Sequence, residues 1–432
     1  MSDRIEGAEA VSEAQPTRYG RAASGVTPGA LHFAATGGPQ PPRVLAILSA
    51  LMGFGSISTD LYLPAMPAMG EALGADAGHM ELTVSGFLIG FSLGQLFWGP
   101  ISDRYGRRLP VAIGVVLFLL GSAGCALAQS PEALIGWRVV QAVGACAGVS
   151  LSRAMVRDLY EGPRAARMLS SLITVMAVAP LLGPLLGGQI LALVGWRAIF
   201  WLLVVVGLAT LTVLLTLPET LPEQRRNHEP LGRAFVRYGE LLGRRRVLGY
   251  AGVGGFFYGG AFAFIAGSPF AYITYHHVPA SLYGFLFGLG ILGIMAVNMV
   301  NIRLVARFGS DRLLGLGAAL VAASGIVAAV AARTDAGGLW GLVLPLFVFL
   351  SLNGLIVANS IAGAMADFPE RAGAVSALVG SIHYGSGIFA SALVGNLADG
   401  TPWPMALVIA LCGVGSLCCV ALVRSKAVTT SA

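Results

Sequence analysis

The chain has 432 residues, of which 56% are hydrophobic, 59 are glycine and 11% are charged. Soluble domains average about 25% charged residues, so this composition excludes an ordinary soluble protein. The apolar residues come in blocks of about 20, the length with which a helix crosses a hydrocarbon core of about 30 Å. A multi-span helical membrane protein is therefore expected.

The formal charge of +6 rests on 27 basic residues, which are arginines except for Lys426. The arginines lie between the apolar blocks and form no continuous basic face interleaved with aromatic residues, which argues against nucleic acid as a partner. The five cysteines fall inside apolar blocks, without the spacing of a metal or redox site. We therefore expect no metal centre and no cofactor.

Residues 1–42 are rich in alanine, glycine, proline, serine and charge, and they lack the apolar core of a signal peptide. This composition predicts a disordered tail that is not cleaved. Twelve apolar segments follow, each of about 20 residues or more. They lie near 43–66, 81–101, 110–128, 134–157, 168–193, 198–217, 247–274, 283–304, 312–332, 340–365, 372–396 and 403–423. An even number of spans places both termini on the same side.

The loops between these segments alternate in arginine content. The arginine-rich loops hold Arg104, Arg107, Arg108, Arg157, Arg164, Arg167, the seven arginines from Arg225 to Arg246, Arg303, Arg307, Arg312 and Arg371. The opposite loops hold Arg197 and Arg333. By the positive-inside rule, the arginine-rich loops and both tails face the cytoplasm.

The longest internal loop divides the spans into six plus six. Near-equal halves suggest duplication, and Arg104-Tyr105-Gly106-Arg107 after the second span is weakly echoed by Arg307-Phe308-Gly309-Ser310 after the eighth. We predict an all-α membrane protein with two six-helix pseudo-repeats. The predicted domains are the tail 1–42, the bundle 43–217, the central loop 218–246, the bundle 247–423 and the tail 424–432. Transporters built from two parallel repeats hold their substrate near the membrane midplane between them.

The loop after the second span carries the strongest motif, Gly99-Pro100-Ile101-Ser102-Asp103-Arg104-Tyr105-Gly106-Arg107-Arg108. Gly99 and Gly106 permit a tight turn between closely packed helix ends. Asp103 and the arginines can form charge-assisted hydrogen bonds to a neighbouring helix end or carboxylate. A polar turn whose arginines only enforce topology is the alternative.

This motif resembles, at every position, the loop signature G-x-x-x-D-R-x-G-R-R of the major facilitator superfamily. The resemblance implies the major facilitator fold of twelve helices and a gating latch in this loop. In such a latch, Asp103 would face the start of span eleven. Arg104 or Arg107 would pair with an acid at the end of span four, where Asp158 is available.

Further segments resemble the drug:proton antiporters of the bicyclomycin and chloramphenicol resistance type. They are Ser58-Thr59-Asp60-Leu61-Tyr62-Leu63-Pro64-Ala65-Met66-Pro67 in span one, Arg138-Val139-Val140-Gln141 in span four, Ser152-Arg153-Ala154 and Arg157-Asp158-Leu159-Tyr160 at its end, and Gly183-Pro184-Leu185-Leu186-Gly187-Gly188 in span five. The resemblance covers about residues 43–220. It implies export of a drug or metabolite in exchange for protons.

Asp60 is the acid that lies well inside an apolar span. Such an acid is costly and is by default a functional candidate. In low dielectric a carboxyl group can exchange protons near neutral pH, as a proton carrier must. Helical spacing places Ser56 on the same face, which could line a cavity. The alternative is a structural acid satisfied by an arginine or by backbone donors.

Arg138 is a second intramembrane charge, near the outer end of span four. The resemblance implies that it relays protons or contacts substrate in the central cavity, with Gln141 one turn along the same face. The alternative is a side chain that snorkels to the outer interface.

Span five carries Gly183-Pro184 with Gly187-Gly188, which resembles the motif that the family associates with antiport. Glycine faces allow close helix approach, and the prolines kink the span. A plain kinked helix is the alternative.

The predicted substrate cavity involves both halves of the chain. Its candidate lining residues are Ser56, Tyr62, Gln141, Asn298, Asn353 and His383. The candidates of the second half can equally form interhelical hydrogen bonds.

The sequence thus predicts a monomeric carrier that exports a small neutral or amphipathic molecule in exchange for external protons. The resemblance implies a phenicol-like or bicyclomycin-like antibiotic, or an endogenous metabolite, as cargo. The rival is a facilitator or proton symporter for a sugar or other metabolite, against which Asp60 and Gly183-Pro184 argue. An enzyme is not expected, because no catalytic constellation of side chains lies at one depth.

Overall fold

The computed structural model describes residues 42–160, 162–227 and 232–424. The predicted tails at 1–42 and 424–432 lie outside these residues, apart from Pro42 and Arg424. The described residues form helices joined by short connections, and no β-strand occurs among them.

The helices follow one another along the chain with few residues between them. In the first half they are α1 (Pro42–Asp60), α2 (Met66–Leu73), α3 (Ala77–Tyr105), α4 (Arg108–Leu127), α5 (Pro131–Leu159), α6 (Gly162–Val194) and α7 (Arg197–Leu214). In the linker and second half they are α8 (Gly232–Leu242), α9 (Arg245–Pro269), α10 (Ala280–Phe308), α11 (Ser310–Thr334), α12 (Gly338–Ser351), α13 (Asn353–Ala366), α14 (Ala372–Asn396) and α15 (Trp403–Arg424).

Eleven helical segments in the described residues are long and apolar enough to cross a membrane. Two of these segments are helix pairs, α1 with α2 and α12 with α13. A further long helix, α6, contains the shorter apolar stretch Val178–Val194. The predicted class of an all-α membrane protein is therefore confirmed.

The first span differs from its predicted limits because it continues beyond 66 to Leu73. Its helix is interrupted after Asp60, and a single turn of 3₁₀-helix, Leu63–Ala65, precedes α2. Pro64 lies within that turn and has no backbone N–H to donate to a continuing helix. The break therefore places Asp60 at a helix end inside the membrane-spanning region.

The predicted central loop at 218–246 contains a helix that the sequence reading missed. Helix α8 buries Tyr238 and Leu241, which lie three residues apart on one face. Such spacing anchors an amphipathic helix on an apolar surface. The linker is thus partly ordered against the body of the protein.

The two halves of the chain meet along two helix pairs, α3 with α14 and α6 with α10. Within the halves, α5 packs against α1, α3 and α4, while α9 packs against α14 and α15. At the start of α3, a Cβ atom added at Gly78 would overlap the carbonyl oxygen of Gly395 in α14. The halves therefore touch through their backbones at this end.

The membrane-spanning helices end at two opposite sides of the molecule. The near side is the one that holds Arg107, Asp158 and Arg246. The far side is the opposite end, where α3 and α5 begin after Asp76 and Ser130.

Candidate functional site

Asp60 is buried at the end of α1, with 4% of its surface exposed. The hydroxyl of Thr59 lies 3.0 Å from its Oδ1 and can donate a hydrogen bond to it. Its backbone and Cβ border α6, because a Cβ atom added at Gly183 would lie 3.0 Å from the Cβ of Asp60. The acid is therefore enclosed by the break in span one and by the glycine face of α6.

Arg138 in α5 is fully buried. Its Nη1 donates hydrogen bonds to the carbonyl oxygen of Ser58 at 2.8 Å and to Oε1 of Gln141 at 2.6 Å. Its guanidinium lies 4.2 Å from the ring centre of Tyr62 and 4.5 Å from that of Phe87. Snorkelling is therefore ruled out in this conformation, since the side chain points into the first half.

Arg138 is linked to Asp60 through the backbone, because it bonds the carbonyl oxygen of Ser58 two residues before that acid, and no ion pair joins the two side chains among the described residues. Two of its nitrogens, Nε and Nη2, have no hydrogen-bond partner among the described residues. A buried charge without full compensation is costly, and its cost depends on whether a nearby acid is ionised. The pair can therefore respond to the gain or loss of one proton.

A chain of buried hydrogen bonds extends from Arg138 across three helices. Gln141 donates through Nε2 to the hydroxyl of Ser122 in α4 at 2.8 Å. The hydroxyl of Tyr62 lies 3.1 Å from that of Thr83 in α3. Tyr62 and Gln141 thus belong to this buried network, and a change at Asp60 can reach α3, α4 and α5.

A cavity of about 670 Å³ lies between the two halves and extends to the near side. Its lining includes Gly99, Asp103, Arg107, Arg153, Tyr258 and His383. Asp60 and Arg138 are not among the lining residues. The cavity and the pair of Asp60 and Arg138 therefore occupy separate places.

The wall of this cavity in the second half is aromatic. Tyr258 stacks on His383 with ring centres 4.8 Å apart. The ring centres of Tyr384 and Phe91 lie 4.4 Å apart across the interface between the halves. The Nε2 atom of His383 has no hydrogen-bond partner in the described part of the chain. This wall offers stacking surfaces, while the Nε2 atom of His383 is buried against Gly254 of α9.

Arg153 lines the cavity from the first half, and its side chain is exposed there. The sequence reading did not select it as a site residue. Ser150, Arg153 and Arg157 recur at intervals of three and four and all line the cavity. That helical spacing of polar residues near the end of an apolar span is the signal that could have identified this face.

Of the six predicted cavity residues, His383 is the one that lines this cavity. Ser56 and Asn353 are half-buried elsewhere, and Asn298 lies exposed on α10. Asn359, which lies on the same span as Asn353, donates to Asn301 Oδ1 at 2.9 Å, an interhelical hydrogen bond. Sequence spacing could not distinguish cavity from bundle surface here, because several faces of these helices carry polar residues.

The near side contains a network of ion pairs around Arg107. Its Nε donates to Asp158 Oδ2 at 2.8 Å, and its Nη1 donates to Asp103 Oδ1 at 2.6 Å. Burial alone would lower the pKa of Arg107, but the carboxylates of Asp158 and Asp103 outweigh it and raise that pKa. The guanidinium is therefore a permanently charged link between α3 and α5.

Asp103 lines the same cavity as Ala372 and Gly373 at the start of α14. It also bonds Arg107, and its backbone carbonyl accepts a hydrogen bond from Asn227 of the linker at 2.8 Å. The resemblance left either Arg104 or Arg107 as the partner of Asp158. Arg104 lies over the ring of Tyr105, 5.7 Å from its centre, and not on Asp158. The pairing thus falls to Arg107 within the first half.

Glu219 is a member of this network that the sequence reading missed. Its carboxylate accepts hydrogen bonds from the backbone N–H groups of Arg107 at 2.7 Å and Arg108 at 3.1 Å. Gly106 has a φ of +91°, and a Cβ atom there would lie 2.6 Å from Glu219 Oε2. Glycine is therefore required at 106 both by its backbone conformation and by the closeness of this carboxylate.

The glycine motif of α6 makes two close contacts. A Cβ atom at Gly187 would overlap the carbonyl oxygen of Leu61, just after Asp60. A Cβ atom at Gly188 would lie 2.6 Å from the carbonyl oxygen of Ala280, at the start of α10. One turn of α6 therefore contacts both the Asp60 segment and the second half of the chain, next to Pro184 in the same helix.

The fold consists of many membrane-spanning helices in two halves, with a cavity between the halves and a buried pair of an acid and an arginine. These features define a class of membrane transporters. Residues 44–392 match the family model of the Major Facilitator Superfamily. The chain belongs to this superfamily.

Relatives support the narrower resemblance to drug transporters of the bicyclomycin and chloramphenicol resistance type. The bicyclomycin resistance protein homolog of Haemophilus influenzae is 31% identical over 86% of this chain and 93% of that protein. The chloramphenicol resistance protein of Pseudomonas aeruginosa is 29% identical over 83% of this chain and 85% of that protein. An uncharacterized MFS-type transporter of Bacillus subtilis, YdgK, is 34% identical over 88% of this chain and 95% of that protein. The predicted family is therefore confirmed.

Solved structures share the fold at low sequence identity. A D-xylose-proton symporter aligns with a TM-score of 0.67 and 16% identity, over 88% of this chain and 96% of the other. The nucleoside transporter NupG aligns with a TM-score of 0.68 and 14% identity, over 88% of this chain and 99% of the other. These neighbours place the chain in the major facilitator fold.

Proposed function

We propose that this protein exports a small neutral or amphipathic molecule in exchange for protons by alternating access. The observation that carries the proposal is the buried pair of Asp60 and Arg138, held against the glycine motif of α6. A buried acid at this point can be loaded with a proton and emptied again once water reaches it.

The coupling step uses the change in charge at Asp60. When Asp60 is ionised, it compensates the buried Arg138. When it takes up a proton, Arg138 is left with Gln141 and the carbonyl group of Ser58 as its partners. The two protonation states therefore favour different packing of α1 against α5 and α6, and α6 transmits the difference to α10 through Gly188.

The cargo site is the near-side cavity. Its volume of about 670 Å³ fits a drug-sized molecule. Tyr258 and Tyr384 offer apolar faces, while Arg153 has no ion pair among the described residues and offers hydrogen-bond donors. An amphipathic molecule with an aromatic or apolar body and a polar group satisfies both walls. Relatives named for bicyclomycin and chloramphenicol resistance support a drug-like cargo.

Proton energetics suffice for such export. A membrane potential of 100 mV contributes about 2.3 kcal/mol per charge, and one unit of pH gradient contributes about 1.4 kcal/mol. Since about 1.4 kcal/mol corresponds to a tenfold ratio, one proton per neutral molecule sustains a gradient of roughly 500-fold.

The orientation belongs to the same proposal. Both termini lie in the cytoplasm and the near side faces it, in a bacterial inner membrane, because the arginine-rich loops are gathered there. The bundles 43–217 and 247–423 form the two rocking halves of a monomeric carrier. The cavity then opens to the cytoplasm, ready to accept cargo.

Inverted membrane vesicles with an acidic lumen, monitored by a pH-sensitive dye, test the exchange. We expect one class of compounds added outside to dissipate the pH gradient, and vesicles with Asp60→Asn to show no response. A gradient that collapses only when compounds are loaded inside the lumen would instead indicate a symporter, the rival function. No response to any compound from either side would contradict proton exchange.

A further inference from the structure

Glu81 is a second buried acid, and it lies at the interface between the halves on the far side. Only 4% of its surface is exposed. Its Oε2 atom has no hydrogen-bond partner among the described residues. The side chain faces α14, where a Cβ atom added at Gly395 would lie 3.5 Å from the Cβ of Glu81. The acid is therefore buried by contact with the other half.

A cavity of about 60 Å³ borders Glu81 and has room for a few water molecules. Its walls come from both halves of the chain, with Ala77 and Glu81 from α3 and the other residues from the second half. The second-half residues include Phe270, Thr274, Val394, Thr401 and Met405. Glu81 is the titratable member of the lining.

The same interface must open when the far side opens. Gly78 and Gly395 are in close backbone contact there. One turn after Glu81, the hydroxyls of Ser85 and Ser391 share a hydrogen bond of 2.7 Å between α3 and α14. Separation of these helices would break both contacts and expose Glu81 to far-side water.

No positive charge is paired with Glu81 in the described residues. At the far-side ends of the elements around it, the titratable and charged groups are Glu71, Asp76, His79 and Glu132 of the first half and Tyr272, Tyr275, His276, His277 and Asp399 of the second. Deeper in the first half, the hydroxyl of Tyr62 bonds that of Thr83, and Arg138 lies over the ring of Phe87. Asp76 is the charged group whose field reaches Glu81, and it is bonded to His79. Asp399 accepts hydrogen bonds from Thr401. The surroundings therefore disfavour an ionised Glu81 while the interface is closed.

We propose that Glu81 is a second proton-binding site, which holds the far side closed when protonated and favours opening when it is ionised. This role rests on the proposed proton exchange and adds a gate to it. The proton comes from far-side water and returns to it when the interface opens. Protonation after cargo release would then close the far side behind the departing molecule.

The size of the effect follows from linkage between proton binding and conformation. The closed state binds the proton more tightly, because burial disfavours the carboxylate, and the open state hydrates it. For one such group, the ratio of open to closed molecules changes by up to tenfold per pH unit. The far side is therefore closed at low pH and opens as pH rises.

The test measures the far-side distance directly in the purified full-length chain in lipid nanodiscs, without cargo and without a gradient. Labels are placed at Gln129 and Ala336, which are exposed on the far side of the two halves, in a background with the five cysteines replaced. We expect the wild-type distance distribution to shift toward the open state between pH 5 and pH 9. Glu81→Gln should remain closed over this range.

Two controls make the result specific. Glu71→Gln removes an exposed acid on the same side and should keep the wild-type response, and Glu81→Asp should retain a pH response with a displaced midpoint. A wild-type pH profile in Glu81→Gln would overturn the proposal. Asp60→Asn should lose proton-coupled export but keep the far-side response. If the wild type shows the pH response of the gate but no proton exchange in vesicles, the proposed function is wrong and the proposal for Glu81 is supported.

Discussion

The two ends of the molecule are held together in different ways. On the far side, contacts join the halves directly, through Gly78 with Gly395 and the hydrogen bond of Ser85 with Ser391. On the near side, Arg107 bonds acids of its own half. The ion pairs of Arg246 with Asp311 and Asp367 likewise lie within the second half, and the ion pair of Arg371 with Glu240 involves the linker.

This difference indicates what must change during the transport cycle. Opening the far side requires the separation of small residues and neutral hydroxyls, which costs little per contact. The near-side charges stiffen the helix ends of each half and leave the cavity between them open. The strongest polar interactions therefore maintain the halves, and the weaker ones decide which end is closed.

Gly187→Ala gives the largest expected effect on stability, because it places a Cβ atom where the carbonyl oxygen of Leu61 lies. Overpacking of this kind costs about 1–3 kcal/mol. We expect a clear drop in the thermal unfolding midpoint of the detergent-purified protein and weak transport. Gly136→Ala, a helical glycine with open space around it, is the matched control and should be as stable as the wild type. Equal stability of both variants would refute the close contact.

Arg107→Gln tests whether the near-side network acts within the first half. Hydrogen bonds to charged groups are worth about 1.5–3 kcal/mol, so the loop between α3 and α4 should exchange its amide hydrogens at least tenfold faster. The far-side distance between Gln129 and Ala336 should not change. Arg104→Gln, which removes an arginine outside the ion pairs, should leave the exchange rates unaltered. A shift of the far side in Arg107→Gln would contradict the division between the two ends.

Ser85→Ala removes one hydrogen bond between the halves, worth about 1 kcal/mol. The fraction of molecules with an open far side should rise roughly fivefold. Ser391→Ala should have the same effect, and the double variant should add little to either, because the two hydroxyls bond each other. Ser171→Ala, whose hydroxyl bonds its own helix, serves as the control. Additive effects of the two serines would show that their contact is unimportant.

The smallest effect concerns Asp76, which caps the start of α3. The backbone N–H and the ring of His79 donate to its carboxylate and lower the pKa of Asp76. The contribution of this cap to the free energy of unfolding is therefore complete above the ordinary pKa of an aspartate carboxyl group. It is lost as pH falls through the lowered pKa. Asp76→Ala should cost roughly 0.5 kcal/mol at neutral pH, while Asp76→Asn should cost less and remove the pH dependence. Unfolding midpoints measured from pH 2 to pH 7 check this.

The sequence predicted the fold because its signals are local. Blocks of apolar residues marked the spans, and the loop motif with Asp158 contained the partners of Arg107. The break after Asp60 extended span one beyond expectation, since proline shows where a helix is interrupted but not where the next one begins. Helix α8 was missed because its apolar face is short and lies in a charged linker.

The candidate site was harder to predict because it depends on contacts between distant parts of the chain. Glu81 lies at the start of an apolar span, where the sequence pattern predicts an exposed acid at the membrane interface. Contact with α14, about 310 residues later in the chain, buries it. Glu219 joins the latch through backbone N–H groups that no side-chain pattern reveals. Asn298 and Asn353 were proposed from polarity alone, which does not say which face of a helix meets the cavity.

The central claim is that Asp60 carries the proton that drives export, and uphill transport in proteoliposomes tests it most directly. With an imposed pH gradient and a cargo found in the vesicle screen, the wild type should accumulate cargo against its gradient. Asp60→Asn should bind cargo and equilibrate it but accumulate none, while Glu71→Gln should match the wild type. Undiminished accumulation by Asp60→Asn would contradict the account.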